Sequence, residues 1–437
     1  MGGGVGRGRG RTAGHATFTA AVVLCGALLQ AADAPRLEPL PAITAVTTQP
    51  PDTLERLIDV ALILSGVAEA DLVEPRRLYL EAADAVEAAV GGIDDPNQRA
   101  QQVLEFLHEQ LLTDYVERQT RMDALIQHGT YNCVSSAVAY MILNRAVGLR
   151  TAGVRTSDHA FCRVLLDDGD IDVETTTPLG FDPGTRREFT DAFSGRTGYS
   201  YVPANRDPHR QETDDIGVLA LILHNRVAFA GDDGRHLEAV GPAVDLYALT
   251  PDAGAYDVLQ LALSNMGAHY GRLQSFADGL RLVDAAVDRY GADDRLLRVQ
   301  HDLHYNAIVV LAQRGQLEAA QAALDRAAEG ERVDARSWRE LTANLAQQRA
   351  ADAANQRDFS TAASHLLAAL ERVPDDRALW ANLEAYLHNG FVELVNDQRL
   401  EEARSYLERA RERHPTSRLL ADDAARLERV LAGGSSA

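Results

Sequence analysis

Apolar side chains recur at helical spacing in the first third of the chain. Four segments begin with proline or aspartate, which are typical of helix starts, and continue with apolar residues three and four positions apart. These segments are 51–67, 75–90, 95–112 and 114–127. Because this spacing places apolar side chains on one face of a helix, the pattern predicts a block of packed helices before residue 128.

The pattern changes after residue 128. A run of helix-forming residues from about Cys133 to Ala146 predicts one further helix. After it, β-branched and apolar residues flank an Asp168–Gly169 turn, which predicts an antiparallel hairpin. A helix followed by antiparallel strands predicts an α+β core. Residues 179–210, rich in Gly, Pro, Asp and Arg, are predicted to be irregular surface chain.

A repeated pattern begins near residue 216. An anchor residue is followed three positions later by a small residue, and successive anchors are 40, 41, 42 and 41 residues apart. Asn or Gln stands eleven positions before each anchor. Small residues let paired helices approach closely, so the pattern predicts helix pairs that resemble tetratricopeptide repeats, with a period longer than the usual value of about 34. An ordinary helical bundle is the alternative. The pairs are His236 with Ala239, Phe276 with Gly279, Leu317 with Ala320, Phe359 with Ala362 and Leu400 with Ala403; the amides are Asn225, Asn265, Asn306, Gln348 and Asn389.

Composition and charge add two constraints. Hydrophobic residues make up 46% and aromatic residues only 6% of the 437 residues, which favours helix over an all-β fold. The net charge is −21, from 43 basic and 64 acidic residues. A nucleic-acid partner is therefore disfavoured, because phosphate binding needs a basic face.

The N-terminus has the layout of an export signal. Three arginines precede an uncharged stretch, Ala16 to Leu29, and small residues of the Ala-x-Ala kind follow. We predict a signal peptide that exports the protein to a periplasmic or extracellular compartment and is cleaved near Ala32 or Ala34. An uncleaved anchor is the alternative, and no other membrane contact is predicted.

Cys133 is a candidate nucleophile. It stands at the predicted start of a helix, where free main-chain N–H groups and the helix dipole stabilise a thiolate. A catalytic thiol also needs an imidazole that accepts its proton and a third group that holds the ring. His159 is the candidate base. Glu174 or Asp172 is the candidate third group, since parity in the hairpin places both carboxylates on the face of His159.

Two observations weigh against this assignment. With a two-residue turn, Glu174 would pair with Arg163, roughly 13 Å along the strand from His159, so the triad requires a bulge or a wider turn. In an exported protein, Cys133 and Cys162 would also be the only remaining cysteines, which invites a disulfide. Cys162 is predicted to point away from His159, however, which disfavours that disulfide if Cys133 and His159 meet.

The motifs NCVSSA, DHAF and IDVETT resemble the Cys, His and Asp succession of the transglutaminase-like superfamily, relatives of papain-like cysteine proteases. The chain also resembles a bacterial branch that joins such a core to tetratricopeptide repeats. The resemblance covers about residues 100–185 and implies an α+β transglutaminase-like core. It implies that Cys133 is the nucleophile, that His159 is the base, and that Glu174 fills the slot usually held by Asp.

An active site of this kind would attack an amide or peptide carbonyl with the Cys133 thiolate and form an acyl-enzyme. Water would then hydrolyse the acyl-enzyme, or an amine would accept the acyl group. The main-chain N–H of Cys133 is the expected oxyanion donor, and the Asn132 side chain is a supporting donor.

The sequence leaves the function open between three hypotheses. The main one is an exported cysteine-dependent hydrolase or acyltransferase with a Cys133–His159–Glu174 triad, whose repeats bind a protein or peptide substrate. The alternative is a catalytically inactive protein-binding scaffold, and the third is a purely structural role. No cofactor or metal is predicted, because a polar turn explains the acidic residues near Asp168. The predicted segments are a signal peptide (1–34), a Pro-rich linker (35–51), a transglutaminase-like domain with N-terminal helices (52–210) and helical repeats (211–437).

Overall fold

The computed structural model describes residues 34–156, 159–203 and 209–434, and most of them are helical. The N-terminal block contains five helices: α1 (Pro41–Thr48), α2 (Leu54–Leu64), α3 (Val73–Val90), α4 (Pro96–Phe106) and α5 (Met122–His128). α2 begins after Thr53 and α4 after Asp95, and each of these side chains accepts a hydrogen bond from an N–H of the first turn. None of the described helices combines the length and the apolar character that crossing a bilayer requires. The predicted leader lies almost wholly outside the described residues, so export stays a prediction.

The sequence predicts that residues 35–51 are an extended linker. In the structure this segment contains α1 and contacts the first helix pair of the repeats. Pro41 suits the first position of a helix because that position needs no N–H donor. The Arg36 guanidinium binds the buried Asp245 carboxylate at 2.6 Å, and Leu40 N donates to the same carboxylate at 2.9 Å. These contacts anchor the segment.

The strands form two small sheets. One has two parallel strands, and the other has four antiparallel strands in the order β5-β4-β3-β6. α6 packs against β3 and β4, and α8 packs against α6 and β3. The elements are β1 (Asp114–Tyr115), β2 (Thr130–Tyr131), α6 (Cys133–Ala146), β3 (Arg150–Arg155), β4 (Ala160–Leu165), β5 (Ile171–Val173), α7 (Arg187–Thr197), β6 (Gln211–Thr213) and α8 (Asp215–Asp232).

The hairpin between β4 and β5 has a wider turn than the two residues used for the sequence-based register. Cys162 pairs with Val173, and Val164 pairs with Ile171, so residues 165–170 make the connection. This register moves Glu174 two residues closer to His159 than the two-residue turn allows. The wider turn thus halves the separation of roughly 13 Å along the strand that the sequence predicts, and the two side chains span the rest.

The predicted repeats are confirmed as consecutive helix pairs. Every anchor is the first residue of the second helix of its pair, and the small residue three positions later lies in the helix contact. At Gly279 an added Cβ would lie 3.0 Å from Tyr270 Cβ and 3.1 Å from Leu303 Cδ2, so the helices approach too closely for a larger side chain. The helices are α9 (His236–Leu249), α10 (Ala253–Arg272), α11 (Phe276–Tyr290), α12 (Asp294–Gln313), α13 (Leu317–Glu329), α14 (Ala335–Asn355), α15 (Phe359–Arg372), α16 (Arg377–Asn396), α17 (Leu400–Arg413) and α18 (Arg418–Gly434).

One left-handed residue shapes the turn inside every pair. It lies two positions before the anchor in all five turns, and in three of them it is not glycine although φ is between 56° and 62°. The left-handed conformation costs an L-residue about 1 kcal/mol, so the packing of the helix pairs imposes it. These residues are Gly234, Gln274, Gly315, Arg357 and Gln398.

The predicted α+β transglutaminase-like core is wrong as a fold class. The described chain is predominantly helical, and its strands are two to six residues long. The segment 179–210, predicted to be irregular, includes α7. The boundary predicted at 210/211 also separates β6 from its partner β3, and one apolar core runs from α2 through α6 into α8. Helix packing therefore dominates where the hairpin pattern was taken to define a sheet-based domain.

Candidate functional site

Cys133 lies at the start of α6, which a reciprocal cap fixes in place. Asn132 Oδ1 accepts hydrogen bonds from the N–H groups of Val134 at 3.1 Å and Ser135 at 3.0 Å. Ser135 Oγ in turn accepts from Asn132 N at 2.9 Å. This capping box determines where the helix begins, and it places Cys133 at the positive end of the helix dipole. Cys133 is half-buried and its thiol is free.

Asn132, predicted as a supporting donor at the site, is a helix cap in the structure. Its side chain is buried, and its Nδ2 donates to the carbonyl oxygen of Glu117 at 3.0 Å. Because both ends of the amide bind neighbouring backbone groups, Asn132 positions Cys133 indirectly.

The structure brings His159 and Glu174 together. His159 Nε2 lies 2.5 Å from Glu174 Oε2, and the Glu174 side chain is only 1% exposed. The other carboxylate oxygen, Oε1, accepts from Thr176 N at 3.1 Å and Thr176 Oγ1 at 2.9 Å. A carboxylate held at both oxygens can fix the orientation of the imidazole ring.

The imidazole of His159 also interacts with the Cys133 sulfur. Burial alone would lower the pKa of His159, but the Glu174 carboxylate and the Cys133 side chain together raise this pKa well above its ordinary value. Both neighbours therefore favour the imidazolium form of His159. The structure thus places Cys133, His159 and Glu174 at one site, and the assignment of these residues as a catalytic triad stays a prediction.

The other two residues considered from the sequence have different partners. Asp172 lies opposite Arg163 and binds Arg163 Nε at 2.8 Å and Arg210 Nη2 at 3.0 Å, so it does not support His159. Cys162 is fully buried, and its Sγ contacts Ala137 O at 3.3 Å. Both cysteines are free, so the alternative Cys133–Cys162 disulfide is absent from the described chain.

Buried polar contacts hold the segment that carries Glu174. Thr175 Oγ1 lies 2.8 Å from Ser136 Oγ, and Thr176 O accepts from the Tyr131 hydroxyl at 3.1 Å. Burial and the nearby Arg196 lower the pKa of His108 to about 4. The neutral ring of His108 can therefore donate from Nε2 to Thr175 O at 3.1 Å. These contacts fix β5 and its extension against α6, which makes the position of the carboxylate rigid.

Cys133 and His159 face an open cavity of about 480 Å³, which is within the size range of small-ligand sites. α6, the β3–β4 edge and α8 form its walls. Its described lining contains three imidazole groups, one guanidinium and no carboxylate. The lining residues are Cys133, Val134, Arg155, Thr156, His159, Ala160, His209, Gln211, Leu221, His224 and Asn225.

Sequence reasoning missed several residues of this site. Phe193 of α7 packs edge-on against the His159 ring, with centroids 5.2 Å apart, but its helix was predicted to be irregular chain. His209 and His224 have no partner at ligand or catalytic spacing in the sequence, yet both line the cavity. Asn225 did carry a signal, because it is the first of the five periodic amides. The periodic pattern predicts the position of Asn225 within its repeat, but it does not predict which residues surround it.

Among the described residues, no group of three or more His, Cys, Asp and Glu side chains is arranged to hold a metal ion.

A second cavity, also of about 480 Å³, lies along the repeats between α12, α14 and α16. No charged side chain lines it. Five amides share its wall with apolar residues, and none of their side chains forms a hydrogen bond within the described part of the chain. We call this cavity the repeat groove. The amides are Gln313, Asn344, Gln347, Gln348 and Asn382, and the apolar and aromatic lining residues are Ile308, Val309, Ala312, Leu341, Leu345, Ala351 and Tyr386.

Comparison with known proteins gives distant likenesses only. No protein-family model and no curated protein matches the chain. The fold is similar to that of menin, whose crystal structure reveals the binding site for the Mixed Lineage Leukemia protein; identity is 11% over 82% of this chain and 84% of menin, with a TM-score of 0.32. It is also similar to YrrB, a tetratricopeptide-repeat protein with an unusual peptide-binding site; identity is 18% over 46% of this chain and 90% of YrrB, with a TM-score of 0.18. At these TM-scores neither protein's ligand transfers to this chain.

The resemblance to the transglutaminase-like superfamily is therefore wrong. The described chain is mostly helical, its strands are two to six residues long, and no family model matches it. The three short motifs behind the resemblance cover few residues, and their side-chain contacts do not define a fold. The helix pairs of the described chain are those of a helical-repeat protein.

Proposed function

We propose that this protein binds a peptide or protein segment in extended conformation along the repeat groove. The observation that supports this function is the row of amides without hydrogen-bond partners in a groove that lacks charge. A carboxamide offers one acceptor and two donors, which match the C=O and N–H groups of an extended main chain. The apolar residues between the amides would contact the side chains of the peptide.

A peptide selection tests this proposal. The full-length protein is used to select binders from a displayed library of random peptides, and one selected peptide is titrated against variants. We expect Gln348→Ala to weaken binding about five-fold, because one neutral hydrogen bond contributes about 1 kcal/mol. Asn355→Ala, which removes an exposed amide at the end of the same helix, should leave the affinity unchanged. Equal affinity of the Gln348→Ala variant and the native protein for every selected peptide would contradict the proposal.

A second candidate function is nucleophilic catalysis at Cys133. The observation that favours it is the line of contacts from Cys133 through His159 to the buried Glu174, beside an open cavity. In this function the thiolate attacks an amide carbonyl, an S–C bond forms, and the C–N bond breaks. The leaving amine takes its proton from the His159 imidazolium. Water or a second amine then attacks the thioester, gives its proton to the imidazole and releases the thiolate.

Alkylation of Cys133 tests the second function. The rate of modification by iodoacetamide is measured from pH 5 to 10 by mass spectrometry of the peptide that contains Cys133. At pH 7 we expect His159→Ala to slow alkylation about ten-fold, because the imidazole that would take up the thiol proton is lost. His128→Ala, an exposed histidine elsewhere, is the matched control. A profile that His159→Ala leaves unchanged would rule out an activated thiol and leave the binding function.

A further inference from the structure

The cavity beside Cys133 differs in charge from the protein as a whole. The chain carries a net charge of −21, yet none of the Asp and Glu residues that the structure describes lines this cavity. Glu174 is close by, but it is buried and bound to His159. Among the described lining residues, the permanent charge is the guanidinium of Arg155. An anion entering this cavity therefore meets a local field that is opposite in sign to the overall charge.

Arg155 is held at the mouth of the cavity without being neutralised. It is the last residue of β3, and it pairs with Ala160 on one side and with Gln211 on the other. Its Nη2 donates to Gln211 Oε1 at 2.8 Å, and within the described residues it forms no ion pair. A neutral amide therefore fixes the position of the guanidinium, and its positive charge stays available to a ligand.

The charge of Arg155 affects the pKa of His224 in α8. Burial lowers the pKa of His224, and the positive charge of Arg155 lowers it further. His224 is therefore neutral at pH 7, so its ring can donate one hydrogen bond and accept another. Asn225 also lines this cavity, and its Nδ2 donates to Thr120 Oγ1 at 3.3 Å. The described lining thus combines one fixed cation with a neutral imidazole that can donate a hydrogen bond, which suits a carboxylate.

We propose that the cavity beside Cys133 selects an acyl substrate that carries a carboxylate, which Arg155 binds. This inference rests on the second proposed function and names the substrate class of that site. The carboxylate belongs either to an acidic side chain next to the attacked carbonyl or to the C-terminus of a short peptide. The guanidinium can bind either one through paired N–H groups.

Two alkylating reagents of similar size test the charge preference directly. Iodoacetate is an anion and iodoacetamide is neutral, and each forms an S–C bond to Cys133 with loss of iodide. The ratio of the iodoacetate rate to the iodoacetamide rate is measured for Cys133 in the native full-length protein and in the same protein unfolded in urea. We expect the native ratio to be about ten-fold higher than the unfolded ratio. Arg155→Gln should bring the two ratios together, and Arg155→Lys should retain most of the difference.

Arg150→Gln is the matched control, because it removes the same charge from the other end of β3, where Arg150 is exposed. Its ratio should equal that of the native protein. If Arg155→Gln leaves the ratio unchanged, the inference is overturned. An iodoacetamide rate that does not respond to His159→Ala overturns the catalytic function instead, and the two outcomes are independent.

Protection experiments then distinguish the source of the carboxylate. N-acetyl-glutamic acid α-amide offers a side-chain carboxylate, N-acetyl-glycine offers a terminal one, and N-acetyl-glutamine amide is the uncharged control. Slower alkylation by iodoacetamide with the first compound assigns an acidic side chain, and slower alkylation with the second assigns a C-terminus. If neither acid protects Cys133 better than the uncharged amide does, the inference is wrong.

Discussion

Replacing Glu174 with Gln is expected to lower the pKa of His159 and to destabilise the protein by an amount that depends on pH. The substitution keeps the shape of the side chain and the hydrogen bonds from Thr176, but it removes the charge that raises the pKa of His159. Burial then opposes protonation of the ring, and only the Cys133 side chain still favours it. At pH 6 we expect a loss of about 2 kcal/mol in the free energy of unfolding, typical of a buried hydrogen bond to a charged group.

The pH dependence has a definite direction. A histidine whose pKa is raised by folding contributes stability that is complete below its unfolded pKa of about 6.5. This contribution is lost as the pH rises through the raised folded value. The difference in melting temperature between the native protein and Glu174→Gln should therefore be largest near pH 6 and smaller near pH 10. NMR titration of the His159 ring measures the change in its pKa separately.

Asp172→Asn is the matched control for Glu174→Gln. It removes a carboxylate two residues away that binds Arg163 and Arg210 rather than His159. Its effect on the melting temperature should not follow the titration of His159, and the His159 resonances should titrate as in the native protein. A melting-temperature difference for Glu174→Gln that is constant from pH 6 to pH 10 would contradict the ion pair.

Replacing Gly180 with Ala is expected to displace the strand that carries Glu174. An added Cβ would lie 1.8 Å from Glu174 O and 2.7 Å from Glu174 C, and both atoms belong to the main chain. The clash cannot be relieved by rotating a side chain, and Glu174 N donates to Gly180 O at 2.8 Å in the same contact. We expect a loss of about 1–3 kcal/mol in the free energy of unfolding. Alkylation of Cys133 at pH 7 should also become slower, because His159 loses its fixed partner.

The same substitution at Gly195 separates this clash from a general effect of removing glycine. Gly195 lies in α7, and no other atom lies within 4 Å of a Cβ built there. Gly195→Ala should therefore be neutral or slightly stabilising, because alanine favours helix. Circular dichroism melts of both variants make the comparison. Equal melting temperatures for Gly180→Ala and the native protein would show that the two backbone segments can separate without cost.

The repeats could be predicted from the sequence because their information is local. An anchor and a small residue three positions later define one helix contact, and the same contact recurs in each pair, so period and phase were sufficient. Phe276 with Gly279 is the clearest example, since the contact leaves no space for a side chain. Such contacts need no knowledge of distant segments.

The candidate site was predictable only in part. The position of Cys133 follows from the capping residues beside it in the sequence, whereas its approach to His159 and Glu174 depends on the length of the turn at residues 165–170. Acidic and glycine residues fit several turn lengths, so the sequence left the register open. Arg155 and His224 meet because β3 packs against α8, and that contact joins segments about 70 residues apart without any shared local pattern.

The prediction of the fold class was wrong because a local pattern was given too much weight. A short hairpin has a strong strand pattern in the sequence, whereas residues 179–210 have only a weak helical pattern. Phe189 and Phe193 of α7 are nevertheless almost fully buried. Gly and Arg content marked this segment as surface, but its two phenylalanines pack against Tyr201 and the His159 ring. Burial of a few aromatic side chains outweighed the average polarity of the segment.

The apolar interior of the second half is divided into separate clusters: one serves α9 to α12, the next α12 to α14, and the last α14 to α18. Each cluster is bounded by helices that it shares with its neighbour, and none of them includes the side chains around Cys133. Melting can therefore begin at the C-terminal end and proceed pair by pair, so that the last helices fray while the thiol and its neighbours remain ordered. We therefore expect denaturation in partial steps, and the melting temperatures of the variants near Cys133 refer to the step that unfolds the core around this thiol.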